Sequence, residues 1–227
     1  MEIIINNVHT KIREISDVCY VSPWSKFMVM NMPNKLDGMN VCDYGTGTGI
    51  LSIAATLKGS ESIMALEKNP TFRKLAEYNF KKNNVNSRVK ILPTSVEIQK
   101  NNCFDFIFCN PACYPNIIGN GEFYNAGEWG VDMIDEVITF ASKMLKRDGH
   151  LFILIPSMIP ISLVFNGLKD LELTKHILES LILEFRPHLS PIKRWVDNNA
   201  KTFPEMRYIE KKGKLFEQVD LYDIYKS

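Results

Sequence analysis

Residues 39–59 read MNVCDYGTGTGILSIAATLKG, an apolar run that drops into three alternating glycines and leaves as an apolar helix closed by Gly59. Glycines at 45, 47 and 49 let the chain turn tightly between strand and helix, and let a ligand approach with no Cβ in the way. The helix that follows offers unpaired N–H groups to a carboxylate or phosphate. The spacing is Gly-x-Gly-x-Gly rather than the Gly-x-Gly-x-x-Gly of dinucleotide folds, and an acid, Asp43, stands two residues before the first glycine. A nicotinamide-dependent dehydrogenase fits that spacing poorly.

The residues around this turn repeat its strand-then-helix order. NVCDY, SIMALE, RVKIL, FDFIFCN and HLFILIP are short apolar runs, as expected of strands buried on both faces. Between them, NPTFRKLAEYNFKKNN has Pro70 in its first turn and Phe72, Leu75, Ala76, Asn79 and Phe80 at helical spacing. VDMIDEVITFASKMLKRDG reads as an amphipathic helix with a basic last turn and a stop at Gly149. The alternation predicts a parallel α/β sheet with helical crossovers. The final third differs. LILEFRP and EQVDLYDIYK read as two strands separated by a segment too long for a hairpin turn, with a short helix expected around Ile192 to Asn199.

A chain of 227 residues holds one well-buried domain and is short for two, so residues 1–227 are expected to form a single domain. The formal net charge of +1 gives no global drive toward nucleic acid or membrane. The sign is uneven, however: between Arg186 and Lys214 there are eight Lys or Arg against three acids, a local excess of +5. A solvated surface and a contact face for an acidic or phosphate-bearing partner both fit this stretch. The five cysteines include no Cys-x-x-Cys pair and no clustered histidine, which argues against a zinc site and for reduced thiols in a cytoplasmic protein. No signal peptide is apparent, and the longest apolar stretch is broken by Pro156 and Pro160 and too short to span a bilayer.

Glu67 ends the second strand, 18 residues after Gly49, where an acid can accept both hydroxyls of a ribose. With the glycine turn and Asp43, this order resembles the class I S-adenosyl-L-methionine (SAM) dependent methyltransferases over roughly residues 18–155. The resemblance implies a Rossmann-like α/β fold with a mostly parallel seven-stranded sheet flanked by helices. Residues 1–39 would cover the cofactor and substrate, 40–155 would form the SAM-binding core, and 187–214 would be a substrate-side insertion between the last two strands. It implies that Asp43 holds the methionine end of SAM, that Gly45, Gly47 and Gly49 lie under the cofactor, and that Glu67 binds the ribose. Where the family commonly has Asp for the adenine amine, this chain has Ser95 beside Thr94; a hydroxyl can also accept that bond.

FDFIFCNPACY, residues 104–114, would deliver Asn110 to the carboxyl edge of the sheet, beside the cofactor and in contact with it. Here the chain resembles the Asn-Pro-Pro-aromatic subfamily, in which the Asn side-chain oxygen and the first Pro carbonyl accept hydrogen bonds from an NH2 group and the aromatic ring stacks on its plane. Asn110 and Pro111 keep the two acceptors, Ala112 replaces the second proline, Cys113 takes the aromatic position, and Tyr114 follows one place late. Tyr124 and Trp129 are alternative sources of a stacking wall. The segments DVCYVSPWSKFMV and NAGEWGVDMIDEVITFASKMLKRDGHLFILIP are most similar to the HemK-like release-factor glutamine methyltransferases. That similarity implies substrate contacts at Tyr20, and an insertion roofing the site would bring Arg186 and Arg194 to the substrate. The leading expectation is methylation of a carboxamide in a protein, peptide or small molecule. The alternatives are an exocyclic amine of adenine or guanine in RNA or DNA, which the basic stretch favours and the near-neutral total charge and lack of a separate basic domain speak against, and a non-catalytic partner subunit, which the altered turn motivates.

Overall fold

The computed structural model describes residues 1–15, 19–93, 98, 103–116, 126–185 and 190–226. The elements run β1 (Glu2–Ile5), β2 (Val8–Lys11), α1 (Pro23–Asn31), β3 (Asn40–Tyr44), α2 (Ile50–Leu57), β4 (Ser62–Leu66), α3 (Pro70–Lys82), β5 (Val89–Leu92), β6 (Phe104–Cys109), α4 (Asp132–Met144) and β7 (Leu145–Pro156). They continue with α5 (Ser162–Phe165), a 3-10 turn at Lys169–Leu171, β8 (Leu173–Glu184), α6 (Ser190–Asn199), β9 (Ile209–Lys211) and β10 (Lys214–Lys226). The main sheet has the order β5-β4-β3-β6-β7-β10-β8, with β9 paired to β10 as an eighth strand. Pairing is parallel from β5 to β7, and β10 runs antiparallel to β7, β8 and β9.

The strand order reverses between β3 and β6. Right-handed crossovers therefore put α2 and α3 on one face and α4 on the other. Val41, Cys42, Ile63, Ala65, Ile107 and Phe108 are buried where these layers meet. The expected α/β architecture is present, with β9 added to the seven expected strands. A separate hairpin, β1–β2, stands ahead of the sheet and is tied to α3 by Asn79 and Asn83, whose amides bond the backbone of Arg13 and Lys11.

One element differs from the sequence pattern. The helix expected to run to Gly149 stops at Met144, and residues 145–149 already belong to β7. Leu145 is fully buried and pairs with Phe104, the Met144 carbonyl accepts from the Cys103 N–H, and Lys146 pairs with Asp105 at 2.7 Å. Burial of one leucine and an ion pair outweigh the local helix-ending signals.

β10 carries three buried acids, Glu217, Asp220 and Asp223, each spent on a partner strand or loop. Asp220 accepts from Ser180 and Gln218. Asp223 meets His150 Nδ1 at 2.9 Å and His176 Nε2 at 3.7 Å, and His150 stacks on Phe106. The Asp223 hydrogen bond raises the His150 pKa above its ordinary 6.5, while burial pulls the other way. A histidine whose folded pKa is raised stabilises the fold fully below its unfolded pKa, and that stabilisation is lost as pH rises through the folded value. The urea midpoint should therefore fall as pH rises above the ordinary histidine value of 6.5, and His150→Gln should flatten that part of the profile. An unchanged slope in the variant would remove His150 as its source.

Candidate active site

Strand register assembles the site. Tyr44 lies beside Leu66 in β4 and beside Cys109 in β6. The next residues, Gly45, Glu67 and Asn110, therefore leave the sheet together at its carboxyl edge, at the point where strand order reverses. Open α/β sheets bind ligands there. A cavity of about 670 Å³ opens at this edge, and its lining includes Gly45, Gly47, Glu67, Asn110, Pro111 and Tyr114.

The glycine turn closes onto β4, with Gly45 N–H and Thr46 N–H both donating to the Leu66 carbonyl at 2.9 Å. Gly45 and Gly47 have φ of +77° and +52°, a left-handed conformation that other residues adopt at a cost. Gly49 is left-handed too, with φ of +84°, and also serves packing: a Cβ there would come within 2.5 Å of the Phe80 ring, and Gly49 does not line the cavity. Asp43 does not line it either. Asp43 is fully buried, and its Oδ2 accepts from Thr46 Oγ1 at 2.5 Å, Ser52 Oγ at 2.7 Å and Ser52 N–H at 2.9 Å. Burial pushes its carboxyl up to about 6 against the opposing pull of those bonds. Oδ1 has no partner among the described residues. As folded, Asp43 holds the turn and the start of α2.

Glu67 stands at the cavity wall, where Oε2 accepts from Gly47 N–H at 3.0 Å and Oε1 from Asn69 N–H at 2.9 Å. Each carboxylate oxygen keeps a further lone pair for an incoming hydroxyl. Lys68, Asn69, Phe72 and Pro93 continue the wall on this side. Cys19 also lies here, its thiol pushed up to about 12 by burial and by the nearby Glu67 and Glu14 carboxylates, so it is not a nucleophile at neutral pH.

On the opposite side, Asn110 Nδ2 donates to Ser25 Oγ at 2.9 Å and approaches Ser22 Oγ at 3.5 Å. Asn110 Oδ1 has no hydrogen-bond partner among the described residues and is not a sealed polar atom. Ala112 brings an N–H that a proline would lack, and Met133 Sδ accepts it at 3.3 Å. The same side chain covers Gly45, where a Cβ would sit 2.9 Å from Met133 Cε. Tyr114 is buried, donates its hydroxyl to Glu217 Oε2 at 2.9 Å and packs against Trp24 with ring centroids 5.7 Å apart. Trp24 and Tyr114 together form the aromatic wall beside Asn110.

The remaining candidates divide. Tyr20 lines the cavity. Trp129 does not; it packs on Trp195 at 5.9 Å and Phe203 at 5.2 Å, in and just beyond α6. Arg194 is exposed on α6 and away from the cavity lining. Ser95, Tyr124 and Arg186 lie outside the described residues. Sequence reasoning missed Ser22, Trp24, Ser25, Met133 and Glu217. Ser22 before Pro23 is a helix-start signal and Ser22 does cap α1, but nothing local to Ser22–Ser25 announces a partner at Asn110.

A family model for ribosomal protein L11 methyltransferase (PrmA) matches residues 28–114. A Methanocaldococcus jannaschii protein described as a "Putative protein N5-glutamine methyltransferase" is 30% identical over 175 residues, covering 74% of this chain and 87% of that protein. A tRNA1(Val) (adenine(37)-N6)-methyltransferase from Cytophaga hutchinsonii is 30% identical over 55% of this chain, which spans 54% of that enzyme. Among solved structures, P. horikoshii TYW2 in complex with MeSAdo covers 100% of this chain and 71% of its own, with a TM-score of 0.57 and 17% identity, a likeness of fold. Fold, site order and relatives define a transferase of methyl groups. The chain belongs to the class I SAM-dependent methyltransferases, and SAM is its cofactor.

The residues present fit that cofactor. The glycine turn leaves a cradle free of Cβ atoms at Gly47, the start of α2 at Ile50 and Leu51 faces the cavity, and Glu67 offers carboxylate oxygens at its wall. Glu67→Ala should weaken S-adenosylhomocysteine binding by about 1–3 kcal/mol, the scale of lost hydrogen bonds to a charged acceptor. Titration calorimetry checks it, and unchanged affinity would leave Glu67 as a brace for Gly47 and Asn69 only.

Proposed function

We propose that this methyltransferase acts on a planar NH2 nitrogen, a carboxamide of a protein, peptide or small molecule. The observation that carries this reading is Asn110 Oδ1, without a hydrogen-bond partner among the described residues, with Pro111 next to it in the same cavity wall as the glycine turn. An amide nitrogen has its lone pair delocalised into the carbonyl. Two acceptors bonded to its two hydrogens hold the nitrogen, favour its loss of conjugation and aim it, so placement and electrostatics supply most of the catalysis. SAM, when bound, supplies the methyl group as an electrophile. Trp24 and Tyr114 exclude water beside Asn110, and Met133 closes the gap between the Asn-Pro turn and Gly45.

The name of the M. jannaschii relative supports a protein glutamine side chain as the particular amide, as does the HemK-like sequence similarity. A second reading, methylation of an exocyclic base amine, draws on the basic 186–214 stretch and on the tRNA-adenine relative. The tethering of the Tyr114 hydroxyl to Glu217 favours the amide. A ring fixed in that way is less able to move over a broad nucleobase.

Asn110→Ala should lower turnover about 100- to 1,000-fold, the scale of losing one preorganised polar contact to the reacting group, with S-adenosylhomocysteine affinity nearly unchanged. Radiolabelled methyl transfer from SAM into a cell extract provides the assay. Label that survives nuclease and is released by protease supports the protein amide, whereas nuclease-sensitive label moves the assignment to a base. Unchanged turnover in Asn110→Ala would remove the proposed role of the Asn-Pro turn.

A further inference from the structure

We propose that a second copy of this chain pairs with the outer edge of β8, strand against antiparallel strand, about a two-fold axis at Ser180. β8 ends the main sheet, and among the described residues no strand pairs with its outer side. It is 12 residues long and contains no proline. Proteins ordinarily shorten, charge or cover such an edge, because its free N–H and C=O groups template a further strand. Here large apolar side chains stand in the open instead: Ile177 is 48% exposed and Ile182 56%.

The register on β10 fixes which side chains share a face. Lys175, Ile177, Ser180, Ile182 and Glu184 stand opposite Ile224, Tyr222, Asp220, Gln218 and Phe216, which are alternate residues of β10. Alternate residues of a strand point to one side of the sheet, so all five β8 side chains do too, with Leu178 taken up in a bulge. Outward from Ser180, this face reads isoleucine and then a charge in both directions: Ile177 and Lys175 one way, Ile182 and Glu184 the other. A two-fold axis at Ser180 sets each position against its counterpart. Ile177 then meets Ile182 of the second copy and Lys175 meets its Glu184, once on each side of the axis. An axis two residues further on would set Ser180 against Glu184 and leave Lys175 without an acid, so charge selects the register. Within the chain, Lys175 Nζ lies 4.6 Å from the Phe165 ring centroid and Glu184 pairs with Lys214 at 2.9 Å. Contacts that exposed are weak and give way to a paired edge. Antiparallel pairing reverses the strands of the second copy, so the two cavities open at opposite edges of the joined sheet. No β8 residue lines the cavity, and each chain keeps its own site.

Sedimentation equilibrium and native mass spectrometry of the full chain should show a dimer. Lys175→Glu and Glu184→Lys each turn both outer pairs into like charges and should raise the dimer Kd about tenfold or more. The double variant exchanges the two charges and should return the Kd to within about threefold of wild type, as a cycle on a directly contacting pair requires. Positions 175 and 184 lie about 30 Å apart at the usual strand rise, so no contact within one chain produces that rescue. S-adenosylhomocysteine affinity by calorimetry should be unchanged in all three variants, which reports that each is folded. A wild-type chain that stays monomeric at its highest soluble concentration would overturn the proposal. So would a dimer that neither single substitution weakens, or one that the double variant fails to restore.

Discussion

Everything at the site depends on the parallel pairing of β3 with β4 on one side and β6 on the other. That pairing sets Tyr44, Leu66 and Cys109 level, and the chain then releases a glycine, a glutamate and an asparagine at one edge. A one-residue slip in either ladder would also turn a fully buried strand face outward, so the core and the site enforce the same register. Asp43 adds a second lock one residue earlier. Its buried carboxylate draws Thr46 and Ser52 together and so fixes both the turn and the first turn of α2. Desolvation makes that charge costly, as its raised pKa records, and three donors on one oxygen offset part of the cost.

The Asn-Pro-Ala-Cys-Tyr turn departs from Asn-Pro-Pro-aromatic in a way that the structure compensates. Replacing a proline by Ala112 adds flexibility and also a backbone N–H that needs a partner in a partly buried place. Met133 supplies a weak acceptor and fills space above Gly45 at the same time. Cys113 is buried, and the displaced aromatic, Tyr114, is anchored through Glu217 to β10. The turn is therefore held by contacts to α4 and β10 in place of a rigid second proline.

The fold was legible because buried parallel strands leave continuous apolar runs and crossover helices leave a 3.6-residue period; α3 with its capping Asn69 follows that pattern closely. The end of α4 was not, since the basic residues and Gly149 imitate a helix stop while the deciding contact, Leu145 against Phe104, is tertiary. The glycines, Glu67 and Asn110 were legible through spacing. The roles within the site were less so: Gly49 packs on Phe80 and Asp43 faces the turn, distinctions that depend on which side of a backbone faces the cavity. Ser25 could not be read at all as a partner of Asn110, because a serine at a helix start already has a sufficient local explanation.

The region between β8 and β10 packs on Trp129 through aromatic side chains. Trp129, close after the Asn-Pro turn, inserts between Trp195 and Phe203 of this region instead of lining the cavity. The stretch ending at Arg207 runs back along the carboxyl end of β7, where Arg207 N–H donates to the Ser157 carbonyl and Ser157 Oγ donates to the Arg207 carbonyl. Aromatic packing of this kind is worth more than surface ion pairs, such as Lys193 with Asp197, because it is partly shielded from solvent. The segment is thus fastened to Trp129 and to Ser157 after β7, and Arg194 and Arg207 are exposed. Cofactor chemistry belongs to the sheet edge. Under the proposed function, recognition of the substrate would fall to the segment that Trp129 packs against, apart from the strands that hold Glu67 and Asn110.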